Sequence, residues 1–322
     1  MARWVGWIAY VFWGLGCFLF FFYLFFPYRA LGGRILHTLE EQTSLVTRPS
    51  ETERDLFGIR WARVEVTHPP KGTFPPFEIR DWTIRFHPLS LFAGRLCFTS
   101  QGTVMGGTFR VKLLVERRGL QGHLELKGIR VDGLSLPRTG GASLSCTTGG
   151  TVSWQKNALG VSGDSRFGLV KTRIENLTVF GGSVPALDLG SIQGKVSLSE
   201  GKLDVKEVTV KGKDLKGRLT GEILLQNPLP RSRLACRLEI GLSEGLADRF
   251  PAIRAIYRGL AGRSGILALK IGGTLEVPRV LQVKSALPGS LFGRILAHAF
   301  AGWICAGRAS SCEGVAARKE VG

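Results

Sequence analysis

The sequence predicts a mainly β protein: an N-terminal transmembrane helix followed by a large, mostly antiparallel, twisted or rolled β-sheet domain with a few short helices. Three observations predict it. A charge-free apolar block runs from Trp4 to Phe26, longer than the about 20 residues a helix needs to cross a bilayer core. From about Phe57 onward, apolar and polar residues alternate with a period of two through most of the chain, the pattern of strands with one dry face. The 43 glycines among 322 residues fall mostly between these alternations, as a chain of many short turns requires.

Taken in order, the block "WVGWIAYVFWGLGCFLFFFYLFF" carries Trp4 and Trp7 at one end, with Tyr28 just beyond the other, positions suited to aromatic side chains at a membrane interface. A cleavable signal would have a shorter apolar region of about 7–15 residues and a small-residue cleavage site; "PYRALGG" offers none. Arg3 precedes the block and Arg29 and Arg34 follow it, so charge does not orient it. Size does, and the large part that follows is expected on the far side of the membrane. The expected organisation is a short cytoplasmic end at 1–3, the span at 4–26, a stalk helix and linker at 27–56, a β-domain at 57–283 and a tail at 284–322.

After the span, Leu31, Ile35 and Leu39 recur at helical spacing. This helix is expected either to stand on the membrane or to pack on the end of the domain, and "TRPSETERD" reads as a polar link. "GIRWARVEVTH" is a strand and "HPPKGTFPPF" a proline-rich loop. "EIRDWTIRFHP" is a strand in which Trp82, Ile84 and Phe86 are out of phase with Ile79. "GRLCFTSQGTV" follows. Phe109, Val111, Leu113 and Val115 then share one face against Arg110, Lys112 and Glu116, and Leu124 and Leu126 face inward against His123, Glu125 and Lys127.

The stretch 192–225 repeats this grammar: Ile192, Val196 and Leu198, a turn at "SEG", then Leu203 and Val205. Val208 and Val210 have the opposite parity, which a bulge near Lys206–Glu207 would correct. Leu219, Ile223 and Leu225, then Leu234, Cys236, Leu238 and Ile240, then Leu267, Leu269, Ile271 and Leu275 continue the series. One helix interrupts it, with Leu246, Phe250, Ile253, Tyr257 and Leu260 on one side, Ser243 as N-cap and Gly262 as stop; Pro251 offers a later start. The total is about 12–15 strands.

A one-sided antiparallel sheet must cover its dry face by folding over, by rolling up, or by enclosing something apolar. If it encloses something, the groove lining is expected from Phe109, Val111, Leu113, Val196, Leu198, Leu219, Ile223, Leu225, Leu238 and Ile240. In the tail, Phe292, Ile295, Leu296, Phe300 and Trp303 share a helical side, as in an interfacial helix or one packed on the domain, and the end beyond reads as disordered.

Motifs of chemistry are missing. The five histidines lie at no metal-ligand spacing, and there is no H-E-x-x-H and no C-x-x-C among the six cysteines. Cys236 alternates with leucines and reads as a core residue; a single disulfide remains compatible with the spacing, a framework does not. "GVSGDS" places its second glycine one position early for a nucleophile elbow. The pairs Gly106–Gly107, Gly149–Gly150, Gly181–Gly182 and Gly272–Gly273 lack the lysine and helix of a phosphate cradle and read as turns or bulges. Nothing brings Asp204 to Glu207, or Asp188 to Glu200, over a pocket. A non-enzymatic protein without cofactor or metal is expected. The net charge of +18 is spread along the chain rather than gathered in an arm, which disfavours nucleic acid and leaves a solvated face or anionic lipid headgroups. The loops Pro69–Pro76 and Gln226–Ser232 are the exposed candidates for protein contact.

The order of these segments resembles a known family. An anchor running into "FPYRALGGRIL", then "FGIRWARVEV", "IRFHPLSLFAGRLCFTSQGTVMGGTF", the 192–225 stretch with "QNPLPRSRL", and "SGILALKIGGTLEVPRV" resemble the type II secretion system protein N (GspN) family over about Trp4 to Val280. The strand pattern and the "GTL-x-x-P" of Gly273–Pro278 are similar to the wider AsmA-like proteins. The resemblance implies a single-pass inner-membrane protein with a periplasmic β-domain, serving the secretion machine as an assembly or scaffold part, with other secretion components as partners. It transfers no catalytic residue. The AsmA-like pattern implies the alternative, a lipid-binding or lipid-transfer protein with an apolar β-groove and phospholipid as its ligand.

Overall fold

The computed structural model describes residues 27–43, 45–55, 57–67, 76–117, 119–135, 141–158, 160–179, 182–249, 257 and 266–283, with separate positions between Trp7 and Phe25. Helix α1 (Tyr28–Thr43) leads into strands β1 (Val46–Pro49), β2 (Thr52–Asp55), β3 (Gly58–Thr67) and β4 (Phe77–Phe86). A 3-10 helix (Pro88–Ala93) precedes β5 (Leu96–Val104), β6 (Gly107–Glu116), β7 (Gly119–Ser135), β8 (Ser143–Asn157), β9 (Gly160–Val179) and β10 (Gly182–Ser199). Then come β11 (Lys202–Lys211), β12 (Leu215–Leu224), a 3-10 turn (Leu229–Arg231), β13 (Arg233–Leu242), α2 (Glu244–Arg249), β14 (Leu267–Gly273) and β15 (Pro278–Val283).

All fifteen strands form one sheet, and every pairing is antiparallel. From β3 onward each strand pairs with the next, while β1 and β2 share the outer side of β3. Short turns enforce this meander. Between β5 and β6, Met105 and Gly106 both have positive φ (48° and 75°), as do Glu200 and Gly201 between β10 and β11 (49° and 76°). Positive φ at both central residues matches the right-handed twist of the flanking strands.

Phase changes in the sequence become bulges. Val205 pairs with Gly221 but Val208 with Leu219, so Lys206–Glu207 hold one extra residue, as the parity switch predicts. Val205, Val208 and Val210 are consequently all buried. In β4 the break lies at Asp81, whose φ is 49° and beside which the register to β5 shifts. This puts Trp82 and Ile84 back on the dry side.

Three expectations need correction. "TRPSETERD" is no linker: it supplies most of β1 and all of β2, so the sheet begins at Val46 rather than 57. Edge pairing uses the backbone, which polar residues satisfy as well as apolar ones. The inner face of α1 is centred on Tyr28, Gly32 and Leu36, with Ile35 and Leu39 half-buried and Leu31 exposed. Gly32 brings the helix down on Trp61, whose Cζ2 would lie 3.1 Å from a Cβ there. Gly149 and Gly150 are mid-strand in β8, not a turn; Gly149 faces a bulge that lies on β7 at Lys127–Gly128.

α1 packs on the end of the sheet, one of the two placements expected of it, against β1, β2 and β3. It is locked by Glu40, whose carboxylate accepts from the Thr47 N–H (2.6 Å) and hydroxyl (2.7 Å). Those two bonds hold the Glu40 carboxyl below its usual range. At the other end Ser243 caps α2 as expected, accepting from Leu246 N–H at 3.2 Å. Helical Tyr257 donates to Ile240 O at 3.1 Å. Pro251, Phe250, Ile253, Leu260 and Gly262 lie outside the described residues, as do the proline loop except Pro76, and the tail 284–322.

Three cores result. One joins Tyr28, Leu36, Ile59, Trp61, Val64, Val66 and Trp82 at the α1 end. A second runs from Cys146, Leu169 and Ile192 through β11–β14, with Tyr257 packed on it. A small third one gathers Leu134, Ala142 and Leu144 between β7 and β8. No helix among the described residues is long and apolar enough to cross a membrane, and most of Trp4–Phe26 lies outside them. The positions described there are helical, and Trp7, Tyr10, Trp13, Phe20, Phe21 and Phe25 are exposed.

Candidate functional site

Register builds the site. Directly opposed residues of neighbouring strands share a face, and three lateral rows cross the middle of the sheet on its apolar side. One runs Ser100, Val111, Leu124, Val152, Ser165, Val196, Val205, Gly221, Cys236 and Ile271, from β5 to β14. A second runs Phe98, Leu113, Gly122, Trp154, Gly163, Leu198, Leu203, Ile223 and Leu234. The third runs Gly102, Phe109, Leu126, Gly150, Phe167, Gly194, Val208, Leu219, Leu238 and Leu269.

These rows gather the groove candidates. Phe109, Val111, Leu113, Val196, Leu198, Leu219, Ile223 and Leu238 lie in them, and Ile240 sits on the same face opposite Leu267. Leu225 lies just past β12, its N–H bonded to Gly201 O. The structure then divides the set. Leu219, Ile223, Leu238 and Ile240 are buried in the β11–β14 core. Leu225 packs on the edge of that core. Phe109, Val111, Leu113, Val196 and Leu198 are only half-buried, as are Phe98, Leu124, Leu126, Val152, Trp154 and Leu203. Among the described residues, β5 to β10 contact chiefly their ladder neighbours and the adjacent 3-10 helix, with a minor contact of β10 to β12. Among the described residues, then, the apolar face is half-open where these rows cross β5 to β10, while farther along the same strands Leu144, Cys146, Leu169 and Ile192 are buried.

Glycines missed in the sequence shape this middle. Gly102, Gly122 and Gly194 each face an aromatic residue on the next strand: Phe109, Trp154 and Phe167. A Cβ at Gly102 would come within 2.9 Å of Phe109 Cε1, and at Gly122 or Gly194 it would overlap the ring itself. The rings therefore lie flat over glycine and floor the face rather than standing up from it. Alternation alone could not show this, because glycine leaves a blank in the pattern.

The opposite face is polar. His123 lies opposite Ser153, and Ser153 opposite Asp164, with His123 Nδ1 2.8 Å from Ser153 Oγ. The serine stands between the other two, and among the described residues no hydrogen bond joins the imidazole to a carboxylate, the bond that orients the base in a nucleophilic triad. Asp204 opposes Glu222, and Glu207 pairs with Arg218 at 3.1 Å. Asp188 lies at a separate bulge, accepting from Gly190 N–H. Cys97, Cys146 and Cys236 are buried free thiols, and burial pushes those of Cys146 and Cys236 up, away from thiolate chemistry. Among the described residues no group of His, Cys, Asp and Glu could hold a metal ion. The loop Gln226–Ser232 is tied down rather than free: Ser232 is buried, and its carbonyl and that of Pro230 accept from Leu275 and Glu276 N–H, in the "GTL-x-x-P" turn.

Compared with known proteins, the chain matches no family model, no curated protein and no solved structure.

Proposed function

We propose that the protein is a non-enzymatic, inner-membrane-anchored periplasmic protein that holds phospholipid acyl chains along the half-open middle of its sheet, the AsmA-like of the two readings. One observation carries it: three apolar rows continue across β5 to β10, half-exposed and floored by flat aromatic rings, with no second sheet over them among the described residues. Such a surface binds by area rather than by directed bonds. The exposed helical positions Trp7, Tyr10, Trp13, Phe20, Phe21 and Phe25 support the anchor. The test is the full chain in phospholipid nanodiscs carrying a photoactivatable acyl chain. Adducts are expected on peptides holding Val111, Val152 and Val196; adducts restricted to 1–26 would overturn the reading.

A different observation favours the secretion-system scaffold. The meander is open, and among the described residues β15 pairs only with β14. A free edge accepts a strand from a partner. A photo-crosslinker at exposed Arg279 should then capture another type II secretion component in cells; capture of none, with secretion intact after deletion, would remove that reading.

A further inference from the structure

The turn between β4 and β5 presents apolar side chains outward and is built to do so. None of the residues in the 3-10 helix Pro88–Ala93 is buried, and Leu89 and Phe92 are 78% and 80% exposed, with Leu91 at 51%. A floppy loop would fold such groups inward. This one is knotted through Ser90: its hydroxyl donates to His87 O at 2.6 Å and accepts from Cys97 N–H at 3.1 Å, and its carbonyl accepts from Arg95 N–H at 3.1 Å. Gly94, at φ 67°, closes the turn on Leu91 O at 2.8 Å. Isolated exposed apolar residues are ordinary on protein surfaces; three on one rigid turn are not. Leu96 and its register partner Val115 extend the patch at the adjoining strand ends, each 37% exposed.

Its position names the occupant. Phe86 N–H bonds Phe57 O at 2.9 Å where β4 leaves the sheet, and the Tyr23 ring packs on the Phe57 ring, centroids 6.1 Å apart. Tyr23, in the apolar N-terminal segment, therefore sits on the same rim of the domain as this turn. Arg95, paired to Glu116 at 3.1 Å, and exposed Arg117 at the neighbouring hairpin put cations at its border. Apolar tips bordered by two arginines suit the boundary between headgroups and acyl chains.

We propose that the Pro88–Ala93 turn is a second membrane contact: Leu89, Leu91 and Phe92 enter the interfacial layer of the same bilayer, and Arg95 and Arg117 meet its phosphates. This rests on the anchored reading above. It adds a fixed orientation, because a chain held at two points cannot swing freely about its anchor.

The test places p-benzoylphenylalanine at position 92 of the full chain in nanodiscs of phosphatidylethanolamine and phosphatidylglycerol, with the same group at Met105, on the opposite rim, as comparison. Irradiation should give at least tenfold more phospholipid adduct from position 92. Equal yields from a chain that co-migrates with the discs would overturn the docking alone. A chain that does not co-migrate would overturn the anchor, and the docking with it. A crosslink from position 92 in cells that goes to protein and not to lipid would also overturn it. As a second measurement, L89S/F92S should leave the chain in the disc and raise proteolysis at the turn severalfold; unchanged cleavage counts against the contact.

Discussion

Replacing Gly194 by alanine tests whether flat aromatic rings floor the apolar face. The backbone there is not left-handed, so alanine fits the strand and by itself should stabilise by about 0.5–1 kcal/mol through the unfolded chain. The added methyl, however, occupies the place of the Phe167 ring, and the ring must lift away. A fully buried phenylalanine contributes about 1.5–3 kcal/mol. Phe167 is half-buried against the core, so lifting it costs about 1–1.5 kcal/mol on the same scale. The net expectation is a small destabilisation of about 0.5 kcal/mol. The sign should reverse in the Phe167→Ala background, where nothing opposes the methyl. Urea unfolding of the full chain, wild type, both single variants and the double, measures this as a coupling of about 1–1.5 kcal/mol. Equal stabilisation by Gly194→Ala in both backgrounds would refute the flat-ring floor and with it the shape assigned to the face.

Three further outcomes follow from burial and bonding. Ile223→Ala, at a fully buried position, should cost about 3–4 kcal/mol, whereas Val196→Ala, half-exposed in the open middle, should cost about 1 kcal/mol; similar shifts of the urea midpoint would mean that the middle is covered. Thr172 is fully buried with its hydroxyl unpaired among the described residues, so Thr172→Val should leave stability unchanged or raise it by about 1 kcal/mol, read as the thermal midpoint. Glu40 has its folded pKa lowered from 4.5, first by the Thr47 N–H and then by its hydroxyl. Its contribution is therefore full above about pH 4.5 and fades as the pH falls through the lower folded value. Glu40→Gln should destabilise at neutral pH and flatten the acid limb of a stability–pH curve; an unchanged limb would show that the helix–strand clasp adds nothing.

Much of this fold is legible because period two is a direct consequence of the pleat. The strand faces of 107–116 and 192–225, and the bulge at Lys206–Glu207, follow from parity alone, since a bulge is the cheapest way to return Val208 and Val210 to the dry side. Ser243 is legible because a cap is a local bond. Illegible were features in which the informative residue has no side chain or the wrong one. Gly32 sets the buried face of α1 by allowing close approach to Trp61, and a helical pattern of apolar residues cannot register it. Thr52–Asp55 is a strand through its backbone only. Register puts the groove candidates, Leu225 aside, on one face, but parity says nothing about what lies on top. Leu219 and Ile223 are sealed in the β11–β14 core while Val111 and Val196 are half-exposed, although all four have the same parity pattern.

That uneven cover bears on how such a surface could work without a deep pocket. A half-exposed apolar face recovers only part of the transfer free energy of an acyl chain, so free in solution it would hold lipid weakly. A chain tethered to a bilayer meets its ligand at the effective concentration set by the tether, and weak binding then suffices. On the proposed reading, buried packing at β3–β4 and β11–β14 holds the strands in register, and the half-open floor between them stays accessible. On the proposed reading, severing residues 1–26 should abolish acyl-chain adducts on β6–β10 while leaving the far-UV circular dichroism of the sheet intact. Adducts that persist at the same yield would show that the face binds lipid by intrinsic affinity and that the tether serves another purpose.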